Sequence, residues 1–168
     1  FSYPDTFQHA FVVAGGVGVA TLCFLVAELG RKQGVKSTVF LGGCSAADIL
    51  CLDAFKDMGA EVFVTTEDCS LGEKGLVTLE VEKALKVRPK PDVIYACGPT
   101  AMLKAIGEIA GKYEVPCQIS LETVMACGFG VCLGCAVEKV EAPGTYFHTC
   151  IDGPVFDSRQ VLLNSSSG

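Results

Sequence analysis

The sequence predicts an α/β fold: a five-stranded, doubly wound parallel sheet over residues 1–121, followed by a small glycine- and cysteine-rich unit over residues 122–168. Three observations carry this expectation. The first 121 residues alternate short apolar runs with longer amphipathic ones, the pattern of repeated βα units. Half of the 168 residues are hydrophobic and 19% are charged, enough apolar material for a large core. Four of the ten cysteines crowd between positions 127 and 150, where both helical and strand periodicities fade.

Five brief runs rich in Val, Ile, Phe or Thr read as buried strands: Phe11 to Ala14, Ser37 to Leu41, Glu61 to Thr65, Val93 to Cys97 and Cys117 to Leu121. Four helices are expected between them, over Val17 to Arg31, Ala46 to Met58, Leu76 to Lys86 and Thr100 to Lys112. Ser45 suits an N-cap and Gly59 a C-terminal stop. Pro89 and Pro91 force the chain out of the third helix. Right-handed crossovers favour the strand order 3-2-1-4-5, which places a ligand crevice at the carboxyl ends of strands one and four. The residues 164–168, Asn-Ser-Ser-Ser-Gly, read as a polar flexible tail.

Composition narrows the function. The net charge of -6, without a dense Lys/Arg run, argues against nucleic acid as a partner. The longest apolar stretch, Val17 to Leu29, contains Thr21 and Glu28 and falls short of the roughly 20 residues a membrane helix needs. The opening Phe1-Ser2-Tyr3-Pro4-Asp5 lacks the basic and apolar regions of a secretory signal, so a cytoplasmic protein is expected. Six cysteines (Cys23, Cys44, Cys51, Cys69, Cys97, Cys117) stand among apolar neighbours and read as small buried hydrophobes. His9 and His148 lack partners in sequence and receive no role, and no GxSxG elbow supports hydrolysis.

The strongest chemical signal is the CxxxxCxxC run Cys127-Gly128-Phe129-Gly130-Val131-Cys132-Leu133-Gly134-Cys135, with Cys150 beyond it. This is the plant-type spacing for a 2Fe-2S cluster, whose four thiolate ligands would be Cys127, Cys132, Cys135 and Cys150. Intervening glycines let the backbone fold round a cluster and turn N–H groups toward sulfur. Structural zinc, or cysteines left free or joined as disulfides, are the alternatives.

A second signal is the strand-to-helix turn Gly15-Gly16-Val17-Gly18, where glycines admit a pyrophosphate to a positive helix end. GGxG is not the full dinucleotide fingerprint, and a close-packed turn without ligand would look the same. Cys97-Gly98-Pro99 adds a second glycine turn facing the same crevice, and the two together point to a nicotinamide dinucleotide. Gly16 and Gly98 are both expected to lack a side chain so that this ligand can approach. Strand two ends in Leu41-Gly42-Gly43-Cys44-Ser45 without the acid or arginine often found there, which favours NAD over NADP, with Ser45 or Asp48 as candidate ribose contacts. Thr66-Glu67-Asp68 could face adenosine or form an ordinary polar loop.

These residues resemble the electron-transfer subunit of B-type dihydroorotate dehydrogenase, within the ferredoxin reductase superfamily. Three stretches are shared across that superfamily: Ala14-Gly15-Gly16-Val17-Gly18, Thr65-Thr66-Glu67-Asp68 with Gly72 to Thr78, and Tyr95-Ala96-Cys97-Gly98-Pro99. Most specific is Ser120-Leu121-Glu122 leading through Met125-Ala126-Cys127-Gly128 to Cys150 and Asp152-Gly153-Pro154-Val155-Phe156. The resemblance implies an oxidoreductase subunit in which NAD, FAD and the 2Fe-2S cluster connect to an FMN-containing catalytic subunit that oxidises dihydroorotate in pyrimidine biosynthesis, in a heterotetramer of two catalytic and two electron-transfer subunits. It also implies an N-terminal β-barrel for FAD, which this sequence lacks. The chain is therefore expected to be a fragment that keeps the cluster and binds FAD poorly. Where relatives carry a basic residue near the end of strand two, this sequence has Gly43 or Cys44. Rival readings are the small subunit of another flavin and iron-sulfur reductase, such as a ferredoxin-NADP reductase or sulfide dehydrogenase, and a non-enzymatic zinc or redox module.

Overall fold

A computed structural model describes residues 1–3, 6–32 and 34–163. Pro4, Asp5 and the polar tail 164–168 lie outside the described residues. The strands are β1 (His9–Gly15), β2 (Lys36–Gly43), β3 (Glu61–Thr66), β4 (Glu73–Lys74), β5 (Val93–Cys97), β6 (Cys117–Ser120), β7 (Ala136–Glu138), β8 (Tyr146–His148) and β9 (Val155–Asp157). The helices are α1 (Val19–Gly30), α2 (Leu52–Asp57), α3 (Val77–Val87), α4 (Thr100–Lys112) and α5 (Thr149–Asp152).

The main sheet has the order β4-β3-β2-β1-β5-β6-β9, parallel throughout except for β9, which runs antiparallel to β6. Its central five strands form the expected doubly wound sheet. The short β4 and β9 extend it at either edge, and β7 pairs with β8 in a separate antiparallel hairpin. Alternation along β1 divides the core. Phe11 and Val13 pack with Val81 of α3 and Ile106 of α4 on one face, while Val12 and Ala14 pack with Leu22 of α1 and Phe55 of α2 on the other. A strand covered on both sides must be apolar on both sides, which is why β1 reads as a continuous hydrophobic run. The α3–α4 core continues into the C-terminal region through Phe156 and Val161, with Val137 and Phe147 packed against it.

Three local expectations change. The first helix begins at Val19 because Gly16–Gly18 form a 3-10 turn. The helix expected over Ala46 to Met58 is broken: Ser45 and Asp48 close a one-turn 3-10 segment by reciprocal capping, and Cys51 at φ 59 interrupts the chain before α2. A left-handed residue cannot continue a right-handed helix. Finally, Cys44, Cys51 and Cys69 are exposed rather than buried, and Cys23 is half-buried, whereas Cys97 and Cys117 do lie in the core. The three exposed thiols occupy loops at strand ends or the helix break, and the nearby Leu50 and Leu71 are exposed as well.

Candidate functional site

Two cavities open at the carboxyl edge of the sheet and share Gly15, Gly16 and Pro99. One, of about 350 Å³, is bounded by Val17, Gly98, Leu121 and Glu122; the other, of about 420 Å³, reaches past Gly43 to Cys44, Asp48 and Glu67. Adjacent cavities joined over a glycine turn match an elongated ligand with its pyrophosphate at the turn.

The glycines here do different work. Gly16 has φ +54, and a Cβ built on it meets no atom within 4 Å, so at the strand-to-helix turn this glycine opens directly onto free space. A Cβ on Gly18 would stand 2.5 Å from the Cys97 carbonyl oxygen, so Gly18 lets the start of α1 rest on the end of β5. A Cβ on Gly98 would meet Met102 Cε at 2.8 Å and Gly15 Cα at 3.0 Å. Gly98 borders the smaller cavity, and its lack of a side chain also lets the end of β5 pack against Gly15 and Met102.

Cys97 is buried and bounds neither cavity; burial first, then the nearby Glu122 charge, pushes its thiol pKa up. The Asp48 carboxylate accepts from the Ser45 N–H at 2.8 Å and the Ser45 hydroxyl at 3.1 Å, so the two candidate ribose contacts are engaged with each other. Thr66 is buried and donates its hydroxyl to the Leu71 carbonyl at 2.8 Å, while Asp68 accepts from the Ser70 hydroxyl at 2.6 Å. Of Thr66-Glu67-Asp68, Glu67 alone bounds the larger cavity. Leu121 and Glu122 bound the smaller one, a role that sequence reasoning missed. The signal was available: Glu122 closely follows β6, and ligands gather at the carboxyl ends of such strands.

The same segment then leads to the cysteines. Glu122 and Cys127 are five residues apart, a span of at most about 18 Å. Cys127 Sγ accepts the Cys132 N–H at 3.4 Å, and Cys132 Sγ accepts the Gly134 N–H at 3.4 Å. Leu133, at φ 60, bends this tight loop back. The β7–β8 hairpin then carries the chain round so that Ala136 faces His148. The Thr149 N–H and hydroxyl both donate to the Cys135 carbonyl at 3.1 Å, docking the short helix α5 and setting Cys150 Sγ 3.3 Å from Cys135 Sγ. Backbone N–H groups, that of Cys132 first and then that of Phe129, pull the Cys127 thiol pKa down to about 6. The Cys150 thiol is pushed up, chiefly by its hydrogen bond with Cys135.

Thiols thus stand as two pairs, Cys127 with Cys132 and Cys135 with Cys150. Among the described residues no three His, Cys, Asp or Glu side chains converge on one point as a mononuclear metal site requires. Two irons that each take two thiolates fit paired thiols with N–H groups aimed at sulfur. Thr123 Oγ1, between the smaller cavity and this loop, is buried without a hydrogen-bond partner. Among the described residues no helix is long and apolar enough to cross a membrane.

Comparison with known proteins places both halves. Residues 12–108 match the oxidoreductase NAD-binding domain, and residues 122–162 match the iron-sulfur cluster binding domain of dihydroorotate dehydrogenase B. The chain is 43% identical over 162 residues to the dihydroorotate dehydrogenase B (NAD(+)) electron transfer subunit of Caldanaerobacter subterraneus subsp. tengcongensis, covering 93% of this chain and 60% of that protein. It is 44% identical to the probable corresponding subunit of Methanopyrus kandleri, covering 92% and 56%. The chain therefore spans about 60% of the length of these curated relatives. Among solved structures, that of an NADH-dependent reduced ferredoxin-NADP oxidoreductase superposes with a TM-score of 0.80 at 32% identity, covering 96% of this chain and 56% of that one. Phthalate dioxygenase reductase, with a TM-score of 0.56 at 11% identity over 83% of this chain and 56% of that one, shares the fold.

Proposed function

The chain belongs to the dihydroorotate dehydrogenase B electron transfer subunit family, and from that premise we propose that it moves electrons between a nicotinamide dinucleotide at the glycine-turn cavities and a 2Fe-2S cluster held by Cys127, Cys132, Cys135 and Cys150. The observation that carries this reading is the segment Leu121 to Cys127: it begins in the wall of the smaller cavity and ends at a cluster thiol. We assign residues 1–121 to the nucleotide domain and 122–168 to the cluster domain and its tail. When bound, the two groups would supply hydride and single-electron chemistry respectively. The chain's own part is positioning. Gly16 leaves room for pyrophosphate at the start of α1, Pro99 and Glu122 border the nicotinamide end, and the N–H groups of Cys132 and Gly134 stabilise thiolate at the cluster.

We further assign FAD to the part of the relatives that lies outside the matched region, and the electrons to an FMN-containing catalytic subunit that oxidises dihydroorotate to orotate, in a cytoplasmic heterotetramer of two subunits of each kind. Val124, Met125, Phe129, Val131, Leu133 and Ile151 are exposed around the cysteine loop, an apolar rim suited to such a partner. A second reading, the small subunit of an NADH-dependent ferredoxin-NADP reductase, draws on the 0.80 superposition. Metal analysis tests the centre: about two irons and two acid-labile sulfides per chain are expected, with a red-brown spectrum. Stoichiometric zinc without sulfide would refute it. Dihydroorotate-dependent NAD reduction after reconstitution with the catalytic subunit separates the two readings of the partner.

A further inference from the structure

We propose that Glu67 discriminates between the two nicotinamide dinucleotides, accepting the 2′-hydroxyl of the adenosine ribose and repelling a 2′-phosphate; this rests on the dinucleotide reading above. The larger cavity runs from the phosphate-binding turn at Gly15 and Gly16 to the ends of β2 and β3, so its far end receives the adenosine half. Two carboxylates border that end. Asp48 takes both the backbone and the side-chain bond of Ser45 on its Oδ2, at 2.8 and 3.1 Å, which ties that carboxylate to the 3-10 turn following β2. Glu67 is exposed, and the contact to its carboxylate is a thiol, Cys44 Sγ, at 3.5 Å. A thiol is a weak donor, so Glu67 retains acceptor capacity for a ribose hydroxyl.

Charge supplies the rejection. Among the described residues no lysine or arginine borders either cavity, and Lys74, on the adjoining strand β4, is not part of either wall. A 2′-phosphate would bring a further charge of about -1.5 to -2 toward two carboxylates without a cation to offset it. The sequence gives no hint of this at strand two, where Gly42, Gly43 and Cys44 carry no charge. The acid comes instead from the end of the neighbouring strand, one position after Thr66.

The test uses the assembled holoenzyme with NADH or NADPH and an artificial acceptor. Wild type should favour NADH. Glu67→Ala, which removes the acceptor, should raise the KM for NADH about 10-fold, the size of a lost hydrogen bond to a charged group, with kcat and the cluster spectrum unchanged. Glu67→Arg should lower the KM for NADPH by a similar factor and narrow or invert the preference. Direct titration with ADP-ribose and its 2′-phosphate should show the same shift without any electron transfer. An NADH:NADPH ratio unchanged in both variants, while NADH still saturates, would overturn the role of Glu67 and leave the dinucleotide site standing. A shift produced by Asp48→Asn and not by Glu67 variants would also overturn it. Wild-type protein that binds neither nucleotide would remove the underlying reading and the proposal together.

Discussion

Gly16 and Gly18 lie two residues apart in one turn, yet substitution by alanine should separate binding from stability. At Gly18 the new methyl would stand 2.5 to 2.7 Å from three backbone atoms of Cys97 and Gly98, none of which can rotate away. The start of α1 would have to lift off β5, an overpacking cost of about 3 kcal/mol. For a chain of this size that corresponds to a melting temperature lower by roughly 6 to 12 °C. At Gly16 the methyl meets nothing within 4 Å, and only the left-handed φ of +54 penalises it. That costs about 1 kcal/mol, or roughly 2 to 4 °C. Gly16→Ala should nevertheless weaken dinucleotide binding, because its methyl occupies the place where pyrophosphate meets the turn. Urea or thermal unfolding paired with NADH titration reads both effects. Gly18→Ala protein as stable as wild type would refute the packing argument. Gly16→Ala protein with unaltered NADH affinity would show that the turn does not receive the phosphates.

Three further outcomes follow from local geometry. In cluster-free protein, iodoacetamide at pH 7 should label Cys127, whose backbone partners pull its pKa down to about 6, far ahead of Cys117, which burial pushes up to about 12; Cys127 labelling should fall away below pH 6, and equal rates would contradict the assigned hydrogen bonds. Asp92 Oδ2 accepts the Gln8 and His9 N–H groups at 2.8 and 2.9 Å, which lowers its pKa from 3.8. Asp92→Ala should therefore cost about 1 kcal/mol near neutrality, a difference that is present above pH 3.8 and closes as acid protonates the folded carboxyl, and a gap persisting in strong acid would argue against this origin. Thr123→Val removes a buried hydroxyl without a partner and should leave apo-protein stability unchanged or raise it by up to about 1 kcal/mol; a clear loss in a chemical denaturation curve would reveal a hydrogen bond at that oxygen.

Features with local causes were legible in sequence. The run Phe11 to Ala14 announced a two-sided central strand, the 3.6-residue period from Thr100 to Lys112 announced α4, and the cysteine loop was visible because three of its thiols lie within nine residues. Features that depend on distant pairing were not. Val155-Phe156-Asp157 is too short to show a period, and it becomes a strand only by hydrogen bonding to β6. Glu73 and Lys74 form β4 only beside Thr65 and Thr66. The break at Cys51 depends on one residue's φ, which its side chain does not advertise. The exposure of Cys44 and Cys69, and the reach of Leu121 and Glu122 into the smaller cavity, likewise depend on where loops settle after the sheet has formed.

Ser120 and Val155 are register partners on β6 and β9, and the Leu121 N–H donates to the Pro154 carbonyl at 2.9 Å. The whole cysteine region therefore leaves the sheet and returns to it at one point, as a detour inside a hairpin. Such detours are thermodynamically cheap, since doubling a loop's length adds only about 0.6 kcal/mol of closure entropy. A two-residue turn such as Asn-Gly could in principle join Leu121 to Pro154 directly. Protein engineers can regard the region as a cassette, removable from this edge and transplantable to another sheet that ends in an antiparallel pair. The excision would bare the core surface that Val137 and Phe147 now cover, so polar replacements there would belong to the same design.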